Sequence, residues 1–538
     1  MSQRLGNRGF PWPQAHFLGL APLDVWLRML WAGRRGFRPA FALRALLALW
    51  TSLIGSVLTL PERLVLGPWL RVRLGGDRAK LREGPPVVVV LGYYRSGTTH
   101  LHYLLSADRR FVTSRWHQVA AGQGGPLSWW ILRWLMIPLT PNTRPQDDVS
   151  FGPDWPAEDD FALASGWLAS PLPWRFIFPS RTDLWKSWHD AGDGTPRARV
   201  RFALASFVWK MTCFARTRPV LLKSPSHTGR LSLLHEVFGD RLRVVHLARE
   251  PGAVIRSNTR MARSLSPFLM EPGPTIGEAR ARIVEEYERT ERAFVRDAGA
   301  LEGVPLVRVR YADLIADPGG EVDRIYEGLG LERTGDAEAG AQRYLSSVAN
   351  YRNADARRSA DESEPKSERT SEDLGEVSDA ERDACAWLNE TFGHAAPTRE
   401  AGPAIAPAAD RPRPAGWLAS PLAAAVCLAL WLGLAWQLGD RLDTFVWVWG
   451  VLIGLVTVHA GGRGTNRLGL WAAAWFLVAV GASVIPLPEI ANGWTGRDRW
   501  LAINDAYGSF NNTYVWILLG TLSAWRAGSR AMIRPPGA

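Results

Sequence analysis

The stretch VVVVLGYYRSGTTHL, residues 87–101, constrains this chain more than any other. Four valines and a leucine in a row read as a strand buried on both faces. Gly92 ends the run. A short loop follows, and Gly97, Thr98 and Thr99 then open a segment with the apolar spacing of a helix. Strand, glycine-bearing turn and helix N-terminus together grip phosphate-type anions. The first-turn amides have no acceptor within the helix, and the helix dipole favours negative charge there.

Further β-branched runs recur at Val220–Leu222, Leu242–Leu247 and Leu306–Val309, with helical stretches such as Thr275–Arg296 between them. They predict one α/β domain over residues 85–395, a parallel sheet flanked by helices. Ser378 with Glu381 forms a capping box opening a helix through Thr391. The charged, Ser-rich segment Asp355–Asp373 reads as a mobile surface loop. Residues 1–80 form an apolar, basic helical region. Within it Ala45–Leu60 is free of charge for 16 residues, short of the ~20 that span a bilayer. Arg34, Arg35, Arg38 and Arg44 precede it, and Arg63, Arg71 and Arg73 follow. It reads as a buried or membrane-surface helix rather than a span.

Residues 396–415 are Pro/Ala-rich and read as a semi-rigid linker. Residues 416–530 then predict an α-helical transmembrane domain of about four helices: Trp417–Leu438, Thr444–Ala460, Leu468–Leu487 and a weaker Asn511–Trp525. Arg411 and Arg413, Arg463 and Arg467, and Arg526, Arg530 and Arg534 fall in alternate loops. The opposite loops are mixed or acidic, with Asp440, Arg441 and Asp443, then Glu489, Arg497, Asp498 and Arg499. Basic loops stay in the cytoplasm, which places the α/β domain on the cytosolic side. The three cysteines share no metal-ligand spacing, and a reducing compartment fits them. The net charge of +11 suits an anionic ligand or an anionic membrane surface. Its scatter along the chain argues against nucleic acid as a partner.

The chemistry narrows at the loop. A nucleotide-binding P-loop needs a lysine where this chain has Thr98, and an acidic residue ending a later strand to hold magnesium. The strand LRVVHLAREP ends instead in Arg249, followed by a turn at Pro251 and a helix carrying Ser257. That is a second anion pocket. Two phosphate-type sites and no metal site suggest a doubly phosphorylated nucleotide.

The pattern G-x-x-R-S-G-T-T before a helix, then LLKSPSH, then VVHLAREPGAVIRS, resembles the sulfotransferases that use 3'-phosphoadenosine 5'-phosphosulfate (PAPS), and their bacterial branch in particular. VRVRYADLIADP resembles a late segment of the same domain. The resemblance runs from about residue 85 to 392 and leaves the C-terminal segments outside it. It implies a sulfotransferase-like fold, PAPS as co-substrate and no metal. It implies that Arg95, Ser96, Gly97, Thr98 and Thr99 hold the 5'-phosphosulfate, and that Arg249 and Ser257 hold the 3'-phosphate. Lys223 matches the family's lysine near the transferred group, with charge stabilisation of the leaving group as its role beside Arg95. Many members have proline where this chain has Tyr94.

An acceptor hydroxyl must lose its proton to a base. DWPAEDDFAL, residues 154–163, resembles an acidic motif of bacterial members with Glu158 at its centre. The same acids also suit a solvated helix N-terminus. His117 is the alternative base, and His100, His102 and His227 are further histidines near the motifs. The apolar PLSWWILRWLMIPL, residues 126–139, suits an acceptor pocket, a membrane-surface dip or a core helix alike. With the membrane domain it favours membrane lipids as surroundings and a hydroxylated, lipid-like acceptor. A nucleotide-dependent phosphotransferase (a kinase) and a non-catalytic nucleotide-sensing membrane protein are the other readings.

Overall fold

The computed structural model describes residues 18–75, 81–140, 144, 149–190, 194–361, 377–393, 415–438, 446–461, 466–483, 517 and 520–525. Two helices, α1 (Leu23–Gly33) and α2 (Ala42–Leu74), precede β1 (Val87–Leu91) and α3 (Thr98–Leu105). Then come β2 (Val112–Thr113), α4 (Trp116–Val119), α5 (Pro126–Leu139), α6 (Asp160–Trp167), α7 (Leu172–Phe176), α8 (Thr182–Asp190) and α9 (Thr195–Thr212). The second half alternates: β3 (Val220–Lys223), α10 (Leu231–Phe238), β4 (Leu242–Ala248), α11 (Pro251–Ser264), α12 (Ile276–Ala300) and β5 (Leu306–Arg310). Four helices close this part: α13 (Tyr311–Ala316), α14 (Pro318–Gly328), α15 (Gly335–Asp361) and α16 (Asp379–Phe392). Three more follow, α17 (Ala415–Leu438), α18 (Val446–Gly461) and α19 (Asn466–Ser483).

Among the described residues five strands form one parallel sheet in the order β2-β3-β1-β4-β5. β1 lies at its centre, with Val87 level with Val220 on one side and Leu242 on the other. The two-residue period of a strand divides β1 between two cores. Val87, Val89 and Leu91 enter one, and Val88 and Val90 the other. Each of these side chains is fully buried, which favours folding by about 1.5–3 kcal/mol apiece relative to exposure. The first core also takes Trp26 of α1, Ala48 of α2, Phe207 of α9, Phe294 of α12 and Leu388 of α16. The second takes Leu101 of α3, Ile325 of α14 and Tyr344 of α15. The helices before β1 therefore share a core with the sheet.

Two local expectations change. Ala45–Leu60 belongs to the N-terminal part of the 33-residue α2, which continues through Pro61 and Pro68 to Leu74. Both prolines lie on the exposed face, where the bend a proline imposes displaces no core contact. Residues 355–361 of the expected loop are the last turns of α15, and 362–373 lie outside the described residues. So does the linker up to residue 414, together with the loop charges that set the expected orientation, except Arg467, which lies in the first turn of the helix Asn466–Ser483.

α17, α18 and α19 pack on one another through Ala424, Ile453 and Phe476. The hydroxyls of Ser420 and Thr457 bond at 2.7 Å inside that packing. The expected fourth stretch is described only at residue 517 and residues 520–525, where Ala524 joins the same cluster. Val451 of α18 meets Ile137 of α5. Among the described residues one helix, Pro39–Leu74, is long and apolar enough to cross a membrane, and the apolar stretches Trp417–Leu430 and Leu468–Val480 are shorter.

Candidate active site

The C-terminal ends of β1, β3 and β4 converge on one edge of the sheet, where an open α/β sheet presents its ligand crevice. The loop between β1 and α3 turns through three left-handed residues: Gly92 (φ 135°), Arg95 (φ 69°) and Gly97 (φ 101°). A Cβ on Gly97 would run into the ring of Tyr311, so only glycine fits there. Arg95 takes the same half of backbone space with a side chain attached, a strained choice that the surrounding contacts must hold. Ser96 helps, its hydroxyl donating to the Tyr93 carbonyl at 2.7 Å. The amides of Gly97, Thr98 and Thr99 open α3, where the helix itself offers no acceptor.

Tyr94 is pinned by packing. Its hydroxyl bonds Ser226 at 2.8 Å, and its carbonyl accepts from Asn258 at 2.8 Å. The Arg175 guanidinium lies 4.4 Å from its ring centre. Burial raises the Tyr94 phenol above its ordinary pKa, so it stays neutral.

On the β4 side, Arg95 Nε donates to Ser257 Oγ at 3.0 Å, and Arg249 Nη1 donates to the Arg95 carbonyl at 3.2 Å. The Arg249 guanidinium rests 4.4 Å from the Tyr311 ring centre. Three of the expected anion-binding residues thus form one cluster. Among the described residues no carboxylate pairs with Arg249.

On the β3 side, Lys223 ends its strand 2% exposed. Its Nζ donates to Glu158 Oε1 at 2.6 Å and to Thr99 Oγ1 at 3.1 Å. Burial lowers its pKa below the usual lysine value, and the Glu158 charge opposes that shift without cancelling it. Arg144 Nη1 reaches the same threonine at 3.4 Å. Lysine, carboxylate and the first turn of α3 are therefore in direct contact.

The three consecutive acids have three separate partners. Glu158 takes Lys223. Asp159 takes His227 Nε2 at 2.5 Å, and Asp160 takes Arg230 at 3.2 Å and the Ser170 hydroxyl at 2.5 Å. Asp159 and Asp160 are fully buried. The run is no solvated helix start. It plugs the acidic segment into β3 and the short helical turn after it, and only Glu158 retains partial exposure.

His117 stands apart from that group. Its Nδ1 bonds the Pro153 carbonyl at 2.7 Å and lies 3.7 Å from Asp154. Burial lowers its pKa to about 4, so the ring is neutral near pH 7. It lines a cavity of about 440 Å³ between α4, α5 and α9, with Arg115, Trp129, Trp130, Arg133 and Lys210. The α5 stretch 126–139 is thus partly a cavity wall. Lys210 is buried beside it, donating to the Gly122 and Gly124 carbonyls at 2.6 Å each, and burial brings its pKa down to about 7. His102 is a core residue bonded to Thr113 at 2.7 Å, and His100 bonds Tyr344 at 3.1 Å.

Sequence reasoning missed Arg144, Lys210 and the pairs His227–Asp159 and Arg230–Asp160. The one usable signal was spacing. Lys223, His227 and Arg230 offer three basic residues to three adjacent acids. Among the described residues no group of three or more His, Cys, Asp or Glu could hold a metal ion.

Residues 86–335 match the model of the Sulfotransferase family. The omega-hydroxy-beta-dihydromenaquinone-9 sulfotransferases of Mycobacterium bovis and Mycobacterium tuberculosis are each 27% identical to the chain over 340 residues, covering 61% of it and 82% of their own length. Among solved structures, sulfotransferase STF9 from Mycobacterium avium aligns at 18% identity, covering 60% of this chain and 87% of that one with a TM-score of 0.46.

Proposed function

On the premise that residues 86–335 are a sulfotransferase-family domain, we propose that the protein transfers a sulfuryl group from PAPS to a hydroxyl of a lipid-like acceptor at the cytosolic face of a membrane. The observation that carries this reading is Lys223 Nζ held between Thr99 Oγ1 and Glu158 Oε1 at the mouth of the anion-binding loop.

The residues present fit a donor with two anionic ends. The left-handed steps at Arg95 and Gly97 and the first-turn amides of α3 suit the phosphosulfate end. Arg249 and Ser257, with Arg95 between them, suit the 3'-phosphate. PAPS, when bound, supplies the sulfuryl group. Arg95 and Lys223 set positive charge where negative charge grows on the departing oxygen, and the buried setting of Lys223 strengthens that interaction. Glu158 Oε1 accepts from Lys223, which leaves Oε2 to take the acceptor's hydroxyl proton. The Lys223 contact also keeps that carboxylate oriented for the task.

The lipid-like acceptor draws support from relatives whose name specifies a menaquinone derivative, and from the aromatic-walled cavity along α5. We assign α17–α19 and the stretch 511–525 to a multi-pass membrane domain, on the charge-free run Trp417–Leu438 and the alternation of basic and mixed loops. Incubating membranes that contain the protein with radiolabelled PAPS, then extracting lipids for mass analysis, tests the whole reading. Label is expected in one extractable lipid sulfate. Label only in water-soluble products would remove the lipid acceptor, and no transfer at all would remove the sulfotransferase activity.

A further inference from the structure

Helix α2 is built inside out. Every exposed residue from Leu43 to Trp69 is apolar, among them Leu46, Trp50, Leu53, Val57, Leu64 and Val65. The face turned to the protein is mixed: Arg44, Ser52 and Thr59 stand beside Ala45, Ala48 and Gly55. A helix on a water-exposed surface shows the reverse arrangement. At 1.5 Å per residue the apolar stripe is about 40 Å long, far beyond the scattered single apolar residues normal on a soluble surface.

This face is fastened along its length to the segment before α1 and to the α/β domain. Arg44 Nη1 donates to the Leu269 carbonyl at 2.8 Å, and Ser52 Oγ donates to the Ala21 carbonyl at 2.7 Å. Glu62 accepts from the Gly125, Leu127 and Ser128 amides at 2.8–3.0 Å. Leu70 and Leu74 enter the first core. Arg44 and Glu62 stand about 27 Å apart along the axis, nearly the thickness of a bilayer's hydrocarbon. A helix crossing the membrane with these contacts intact would drag the charged α/β domain into hydrocarbon. The same contacts are all kept if the helix lies flat.

We propose that α2 is an in-plane membrane helix, its apolar stripe sunk in one phospholipid leaflet with anionic headgroups, and that the cavity beside α5 opens along the same face so that the acceptor arrives from the leaflet. Charge supports this occupant. Arg34, Arg35 and Arg38 are exposed before the helix and Arg71 and Arg73 at its end. The sole acid from Arg34 to Gly75 is Glu62, already committed to α5. Basic ends and an apolar middle match the headgroup and acyl layers of an anionic surface. Continuity supports it too. The α5 N-terminus that Glu62 holds carries exposed Leu127 and Trp130, and Pro126, Trp129 and Trp130 line the cavity. The far end of α5 meets α18 of the C-terminal helices.

The inference is compatible with the membrane domain assigned above but is read without turnover, so it survives or fails independently of the sulfotransferase activity. The test uses the full chain with Cys213, Cys385 and Cys427 changed to serine and one cysteine placed at Leu46, Trp50, Val57 or Val65. Each is labelled with an environment-sensitive fluorophore and reconstituted in phosphatidylcholine vesicles with and without phosphatidylglycerol. Quenchers sit at shallow or deep acyl positions, and a thermal melt confirms each variant is folded. All four sites are expected to be quenched more by the shallow label and to the same extent, with weaker quenching when phosphatidylglycerol is absent. Depth that passes through the bilayer centre between sites 46 and 65 would make α2 a span and overturn the proposal. Absence of lipid quenching would hand the stripe to another copy of the chain or to the C-terminal helices, and would overturn it as well. Equal quenching in both vesicle types would remove the anionic headgroups from it.

Discussion

The two sides of the site are built on opposite electrostatic plans. Beside β4, Arg95, Arg249 and Ser257 bring cations and a hydroxyl together, and the contacts of Arg249 are a carbonyl and an aromatic face. Beside β3, Lys223 is matched charge for charge by Glu158, and Asp159 and Asp160 behind it are matched by His227 and Arg230. The difference teaches how binding and chemistry divide the work. A surplus of positive charge attracts a polyanion and holds it. A compensated pair cannot add net attraction, but each member fixes the other's position. The first side is suited to affinity and the second to rate.

Replacing Glu158 tests that division most severely. Glu158→Gln is expected to lower kcat by about 10²–10⁴ as a lost general base, with donor affinity nearly kept by calorimetry. His117→Ala should leave kcat within a few-fold, and the reverse pattern would move the base to the cavity. Lys223→Met is expected to cost about 10²–10³ in kcat, the range for removing one transition-state donor. If donor affinity fell instead, the compensated side would be a binding side after all.

Behind the site, Asp160→Ala leaves Arg230 buried without its carboxylate. It is expected to cost about 3–5 kcal/mol of stability by chemical denaturation. Arg249→Ala is expected to weaken donor binding about 10- to 100-fold, the equivalent of one charge-assisted contact, with kcat little changed. The smallest effect is a displacement on the pH axis. The buried Lys223 has a folded pKa below the ordinary 10.5, and its charge is lost as pH rises through that lowered value. The alkaline fall in kcat should therefore begin below the pH expected of an exposed lysine. A limb at or above 10.5 would contradict the assigned role.

The sheet and the glycine-bearing loop after β1 were legible because each rests on a local pattern. β1, β3 and β4 are short β-branched runs, and Lys223 and Arg249 directly follow or end theirs. Gly97 is marked by a backbone shape that only glycine relieves. The partners of Asp159 and Asp160 were not legible, because they lie 68 and 70 residues away and only the folded chain joins them. β2, two residues long, carries no period to read. α2 was read only as its charge-free run Ala45–Leu60, whereas the helix continues past Pro61 and Pro68, which lie on its exposed side.

The apolar outer face of α2 has a practical consequence for anyone preparing this protein. Truncation at the linker, the obvious route to a water-soluble catalytic fragment, would leave Trp50, Val57 and Val65 bare on a helix that cannot be removed without opening the first core. Such a fragment should clump or elute as soluble aggregate unless detergent is kept throughout. Polar substitutions along that stripe, not a shorter chain, are the more promising path to crystals.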